Sequence, residues 1–473
     1  MLAIAALARA APVVFGFEHY GDAPVRIELA ERWAQDPHLW HGFVETYQYG
    51  PLHLTLIGAL VRLLGDRLVA ARLLSLACGL ACVWLLYGIA RRERGDEAAF
   101  WAALGLALSP LHIQASATGA SEAVFLALLL GAILGVLRGD VVVPGLLLGA
   151  AGLVRYDGWM YVPLLGLLIV RRQRNLLRAA ACCAIAAAPA LFWIWVNARW
   201  TGDPLAPIHH IDREHAQLAR MAMDSAGALW TRLEALVYWP VVVCVVTTPV
   251  LGFFALWGTA RTLLRREPGW DLAAIAWIPA LYFTFRAAIL ANFHPMTRFT
   301  LVAATLSLVF AHDALARFGR RVSALAVAVA VATPVVLAAL CWNRAGRIAE
   351  WVRPVAPLGS LPPGIVEAAH WMRSNARGQD VVLVDDSVWY LDIPLVFASG
   401  LPEEKLLRAR WRDDFERRYP QFSPTLAVLV VAGRVADFRQ DRFEFRGTPF
   451  CRAERYMYAA VFRACTAGRA GSP

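Results

Sequence analysis

Lysine is nearly absent from this chain: Lys405 stands alone, and every other basic side chain is arginine. That scarcity matches high-GC codon usage and excludes nothing about function. Charge of either sign is scarce too, at 17% of residues, where an ordinary soluble protein carries about a quarter. The hydrophobic residues, 59% of the chain, come in long blocks and give a mean hydropathy of +0.50. These shortages exclude an ordinary soluble protein and point to a polytopic membrane protein. A net charge of +10 would suggest nucleic acid if the arginines shared one soluble face. Many instead stand at the ends of apolar blocks, so no nucleic-acid partner is expected. Metal-spaced cysteines are missing as well. Cys78, Cys82, Cys182, Cys183, Cys244 and Cys341 lie in apolar segments, where thiols usually pack as small hydrophobes. Cys451 and Cys465 differ, because they flank CRAERYMYAAVFRAC in a polar region with Tyr458 at its midpoint. A hairpin turning there would bring the sulfurs together as a disulfide, if the region is extracytoplasmic; two unpaired core thiols are the other reading. No repeat of fixed period is present, and no convincing cleavage pattern precedes Phe15.

What is present is a series of apolar blocks: 1–16, 68–90, 97–113, 121–137, 141–154, 158–170, 176–198, 240–260, 271–291, 299–316 and 322–342. A span needs about 20 residues, so the series predicts about eleven transmembrane helices. Arg91, Arg92 and Arg94 share one short connection, Arg138 is in the next alternate one, and Arg171, Arg172 and Arg174 follow. Arg261, Arg265 and Arg266, then Arg317, Arg320 and Arg321, continue the pattern. Alternate arginine-rich connections are the mark of cytoplasmic loops. The other connections, 17–67, 114–120, 155–157, 199–239, 292–298 and the C-terminal region, then face outward. Residues 52–64 read as an amphipathic helix at the outer interface, and 199–239, with His209, His210 and His215, as a mobile connection. Near 345 the composition changes. A linker at 353–364 precedes a helix at 366–376, a strand at 380–386, a charged helical stretch at 402–418, a strand at 426–432 and the terminal hairpin. The expected organisation is a membrane domain, 1–344, with a functional first outer loop at 17–67, and a soluble extracytoplasmic α/β domain, 345–473.

Carboxylates beside hydrocarbon are costly unless solvated, paired or used. The stretch FGFEHYGDAP at 15–24 sets Glu18, His19 and Asp22 there, with Arg26 four residues on. Glu122 opens the segment after SPLHIQASATGASE, Arg155 and Asp157 sit in RYDGW, and His294 and Arg298 sit in NFHPMTRF. This set suits group transfer from a phosphate carrier: a carboxylate as base and arginines for the departing phosphate. Each residue also has a plainer reading. Asp22 suits a turn, Glu122 the positive end of a helix, Arg155 and Asp157 a mutual pair, and Arg298 a helix end at the interface.

The acidic first loop with GDAP, QYGPLHLTLIGALVRLLGD (48–66), RLLSLACGLACVWLLYGIARR (72–92), SPLHIQASATGASEAVFLALL (109–129) and RYDGW (155–159) resemble the GT-C membrane glycosyltransferases. That group uses polyprenyl-phosphate sugars and includes protein O-mannosyltransferases and lipid A aminoarabinose transferases. The resemblance covers most of 15–300. It implies a GT-C-like fold in a bacterial cytoplasmic membrane, a polyprenyl-phosphate-sugar donor, and a lipid, glycan or protein acceptor. By resemblance Asp22 is the base that deprotonates the acceptor and Arg298 contacts the donor phosphate, with Glu18, His19, Arg26, Glu122, Arg155, Asp157 and His294 around the substrates. Ala23 follows Asp22 where many members carry a second acid, so an Asp-Glu metal pair is not expected. No cofactor is called for with certainty; a divalent metal is compatible with the chemistry, but no ligand cluster in the sequence indicates one. The rival class is a transporter or lipid flippase, which would bury charge in mid-segment and show symmetric halves.

Overall fold

The computed structural model of the protein describes residues 1–16, 18, 20–342, 355, 357–358, 364–385, 395, 399–401, 406–408, 423–430 and 435–465. His19, most of the 353–364 linker, and all of 402–418 except 406–408 lie outside the described residues. Two compact units result: Met1–Gly16 with Arg26–Gly359, and Phe17–Val25 with Ser360–Pro473.

The first unit is a multi-pass helical membrane body. Its helices are α1 (Leu2–Phe15), α2 (Ala23–Gln35), α3 (Phe43–Thr46), α4 (Pro51–Leu64), α5 (Arg67–Arg94) and α6 (Asp96–Leu108). Next come α7 (Pro110–Ala115), α8 (Glu122–Leu137), α9 (Val142–Val154), α10 (Tyr161–Gln173), α11 (Leu176–Thr201) and α12 (Ala206–Ala226). The series ends with α13 (Ala228–Val246), α14 (Pro249–Leu264), α15 (Trp270–Thr284), α16 (Leu301–Ser307), α17 (Ala311–Leu315) and α18 (Gly319–Trp342). Among the described residues, four helical runs are long and apolar enough to cross a membrane: Arg67–Arg94, Leu176–Thr201, Ala228–Val246 and the 44-residue Thr297–Leu340. Gly319, at φ 77°, interrupts the last run. Shorter apolar helices of 10–17 residues include α1, α4, α8, α9 and α14. Leu177, Leu191, Trp195, Leu229 and Val335 are exposed on these helices, as side chains that face lipid should be.

Local chemistry sets the boundaries. Asp66 caps α5 by accepting from the backbone N–H of Leu68 and Val69 at 2.8 and 2.9 Å, and Arg91, Arg92 and Arg94 occupy its last turn against the negative dipole end. Two expected blocks are broken at proline. The 97–113 block splits at Ser109 before Pro110, and 240–260 splits at Thr247 and Thr248 before Pro249, because a residue preceding proline disfavours the helical conformation. The connection 199–239 is largely helical: α12 and the start of α13 fill it. In α9 the close approach of α11 requires glycine. A Cβ on Gly145 would stand 3.0 Å from the Cys182 carbonyl, and one on Gly149 would stand 3.1 Å from that of Ala186. Small residues at such spacing are how membrane helices pack without a hydrophobic drive. Arg9 is wholly buried in α1 yet makes four polar contacts. It donates to Ser116 Oγ and to the carbonyls of Ala5 and Ala107, each at 2.9 Å, and lies 2.6 Å from His112 Nδ1.

The second unit holds α19 (Ile365–Asn375) and a six-stranded sheet of β1 (Val382–Asp385), β2 (Leu406–Arg408), β3 (Leu426–Val430), β4 (Arg442–Phe445), β5 (Thr448–Arg455) and β6 (Ala459–Ala464). The order is β2-β1-β3-β6-β5-β4, with β1 parallel to β2 and β3 and the other pairs antiparallel. Leu406–Arg408 is therefore strand where a charged helix was expected: its Leu406 and Leu407 pair with Val382 and Leu383 at the sheet edge. Period-two alternation sends Val382, Val384 and Val428 to one face with Ile365 and Met372, and Leu383, Leu429, Phe450 and Phe462 to the other. Cys451 and Cys465 are joined across the β5–β6 hairpin, with their Cα atoms 5.3 Å apart.

Candidate active site

The connection after α9 is a tight reversal. Arg155 is extended, and a 3₁₀ turn at Tyr156–Met160 leads into α10. Gly158 passes so near α9 that a Cβ there would lie 3.0 Å from the Gly152 backbone. This turn aims Arg155 at the first residue of α8. Its Nη1 donates to Glu122 Oε1 at 2.6 Å and its Nε to Asp157 Oδ1 at 3.0 Å. The side chains are only 10%, 6% and 20% exposed. One guanidinium thus holds two carboxylates, a strong pairing geometry when water is mostly excluded. The same guanidinium stands over Phe125 and Phe299, at 5.9 and 5.5 Å from the ring centroids. A narrow crevice beside Asp157 is walled by Tyr161, Pro279, Phe283, Phe299 and Val302.

Phe299 links this cluster to a second one. Arg298 also lies 5.5 Å from the Phe299 centroid, so two guanidinium groups share one ring. Phe299 continues an aromatic group with Phe293 and Phe283, and His215 of α12 stacks on Phe293 at 4.3 Å and 17°. Arg286 stands over Phe293 at 5.5 Å and pairs with Asp212 at 2.8 Å. Burial first, then the charges of Arg298, Arg286 and His294, push the His215 pKa down to about 4. Burial likewise lowers that of His294. Both shifts favour the neutral ring, which leaves the positive charge here to arginine.

A third group sits at the start of α4. Arg26 is buried with its guanidinium 4.2 Å from the Tyr49 centroid, Tyr156 Oη donates to the Tyr49 carbonyl at 3.0 Å, and Trp193 donates to Tyr156 Oη at 3.0 Å. His53 is fully buried beside them, next to the Ala120 backbone, and the charges of Arg26 and Arg155 both reach it. His53 is a site residue that motif reasoning misses; the one sequence signal is a lone histidine inside the apolar helix after Gly50-Pro51.

Of the expected residues, Glu122, Arg155 and Asp157 form one contact group, and Phe299 ties Arg298 to it. His294 belongs to the His215 group, and Arg26 to the Tyr49 group. Asp22 occupies the turn that enters α2, half-buried, and Glu18 is 4% exposed; both belong with Phe17–Val25 in the second unit. Among the described residues, one set places three metal-ligating side chains together: His38, His41 and Glu45.

Residues 48–200 match the family model described as dolichyl-phosphate-mannose-protein mannosyltransferase. That segment contains Glu122, Arg155 and Asp157 but neither Asp22 nor Arg298. The solved structure of ArnT from Cupriavidus metallidurans in its apo state aligns over 98% of this chain and 96% of its own, at 14% identity and a TM-score of 0.62. Its structure bound to undecaprenyl phosphate aligns over 100% of this chain and 98% of its own, at 16% identity and a TM-score of 0.60. The chain has an ArnT-like fold. At such identity this likeness concerns the fold, with its helical membrane body and small sheet domain. No curated protein matches the chain in sequence.

Proposed function

We propose that the protein is an inverting, membrane-integral glycosyltransferase of the cytoplasmic membrane, working on its outer face with a polyprenyl-phosphate sugar as donor. The observation that carries this reading is Phe299, the ring shared by Arg155 and Arg298 at the end of the bundle away from the arginine-rich connections. By the family resemblance Arg298 contacts the donor phosphate, and Arg155, paired with Glu122 and Asp157, fixes those carboxylates. The aromatic group of Phe283, Phe293 and Phe299 offers an apolar surface to the prenyl chain. Asp22 removes the proton from the acceptor hydroxyl or amine. The freed lone pair attacks the anomeric carbon, and the carbon–oxygen bond to the lipid phosphate breaks with inversion. The phosphate departs with the bonding electrons, and arginine stabilises its charge. The likeness to ArnT, whose structure holds undecaprenyl phosphate, supports the choice of donor class.

The test is to incubate purified protein in lipid nanodiscs with undecaprenyl-phosphate carrying a radiolabelled sugar and with cell-envelope extract as acceptor. Label moving from the lipid to a lipid, glycan or protein fraction is the expected result. A panel of such donors that stays intact throughout overturns the reading.

A further inference from the structure

The stretch between α2 and α3 reads DPHLWHGFVE, and it folds three side chains onto one point. His38 Nδ1 lies 2.6 Å from the Asp36 carbonyl oxygen, and His38 Nε2 lies 3.0 Å from Glu45 Oε2. His41 Nδ1 lies 2.7 Å from Glu45 Oε1, and the His41 backbone N–H donates to Glu45 Oε2 at 2.7 Å. Both ring nitrogens of His38 therefore face oxygen acceptors. A neutral imidazole carries one N–H and satisfies one of them. The other nitrogen needs a positive partner between itself and Glu45, either an extra proton or a metal ion.

The geometry suits the metal. One ligand atom from each of His38, His41 and Glu45 lies within 4.8 Å of the others. Zinc takes imidazole nitrogen and carboxylate oxygen at about 2.0–2.2 Å, so a small outward turn of these side chains admits an ion between them. A backbone carbonyl on Nδ1, leaving Nε2 free for the ion, is the usual outer contact of a metal-binding histidine. The stretch is also held in advance. Phe43 N–H donates to Asn197 Oδ1 at 2.8 Å. Gly42, at φ 72°, lets the chain close there, since a Cβ would stand 2.8 Å from the same oxygen. The Trp200 ring packs 4.0 Å from His41. The three side chains are 34%, 39% and 28% exposed, so an ion reaches them from water.

We propose that His38 Nε2, His41 Nδ1 and the Glu45 carboxylate form a divalent-metal site, zinc by preference, with the remaining position open to water. The site is independent of the sugar-transfer reading, and its readout is metal content rather than activity. Full-length protein in detergent is stripped with chelator, dialysed against zinc chloride, and its zinc counted by plasma mass spectrometry. One zinc per chain is expected, with affinity lowered at least about tenfold in Glu45→Gln and in His41→Asn, and unchanged in His209→Asn, which removes the nearby Asp203–His209 pair. No zinc on the wild type overturns the proposal, as does wild-type affinity in both ligand variants or loss of zinc in His209→Asn. Each variant is checked by size-exclusion profile. Should a ligand variant aggregate, cobalt substitution of the wild type decides: visible bands of a tetrahedral nitrogen–oxygen site support the assignment, and an octahedral spectrum refutes it.

Discussion

Arginine does different work at the two ends of the helical body. At the end that holds the connections after α5, α10 and α14, arginines pair with acids of their own or neighbouring connections. Arg94 meets Asp313 at 2.7 Å, Arg172 meets Asp271 at 2.6 Å and Glu93 at 2.8 Å, and Arg261 meets Glu267 at 2.8 Å. Their side chains are 12%, 32% and 22% exposed in that order. At the other end, Arg155 is 10% exposed, bonded to two carboxylates and backed by phenyl rings. The first end is a clasp between loops whose arginines run from 12% to 45% exposed; the second is a dry charge cluster beside a crevice. The same residue type, counted in the sequence as a topology signal at one end, is a chemical group at the other. The neighbours make the difference.

The largest expected effect tests the proposed base. Asp22→Asn removes the proposed base and lowers transfer by about 10²- to 10⁴-fold, with expression and membrane insertion unchanged. Near-normal transfer in that variant, or labelling that puts residue 22 on the cytosolic side, removes Asp22 from the mechanism. Next comes Arg155→Gln, which leaves Glu122 and Asp157 without their shared cation. Breaking a buried pair from one side costs about 3–5 kcal/mol, read as a large fall in unfolding midpoint. Adding Glu122→Gln should restore part of the loss, because one of the stranded charges is then gone. If Arg155→Gln melts like the wild type, the cluster is not dry and the comparison fails.

Much of the membrane body is legible in the sequence because lipid demands it: an apolar run and an arginine at its end are local facts. The charge cluster is legible only in pieces. Arg155 and Asp157 are two residues apart, so their pairing is an expectation the sequence itself supports, but Glu122 is 33 residues away and no local pattern joins it. Arg9 lies in a block that reads simply as apolar, and its partners Ser116 and His112 come from α7 and its end. Phe299 resembles any interfacial aromatic until Arg155 and Arg298 are seen on its ring. The breaks at Ser109 and Thr248 are marked by the following prolines, though hydropathy runs straight through them. His38, His41 and Glu45 lie within eight residues but match no ligand motif, and only the fold brings their ligand atoms together.

His215 offers a pH test of the dry end. Its folded pKa of about 4 lies below the ordinary 6.5. The unfolded chain therefore binds the proton first as pH falls, and stability drops between about 6.5 and 4. The full contribution is about 3 kcal/mol. His215→Phe keeps a ring on Phe293 and should flatten that part of the stability–pH curve. An unchanged slope in the variant would assign the pH dependence to other groups.

The smallest effect is the one that separates the two ends most directly. Asp271 is 7% exposed and holds Arg171 and Arg172, whose side chains are 45% and 32% exposed. In Asp271→Asn the acid's charge disappears, and the two guanidinium groups turn to water instead of being left in an apolar site; Arg172 also keeps Glu93. The cost is that of a surface pair, about 1 kcal/mol, and it shrinks further in salt because exposed charges are screened. Donor consumption should not change. A loss as large as that of Arg155→Gln would mean that the clasp is as dry as the cluster, and the contrast between the ends would then rest on position rather than on solvation.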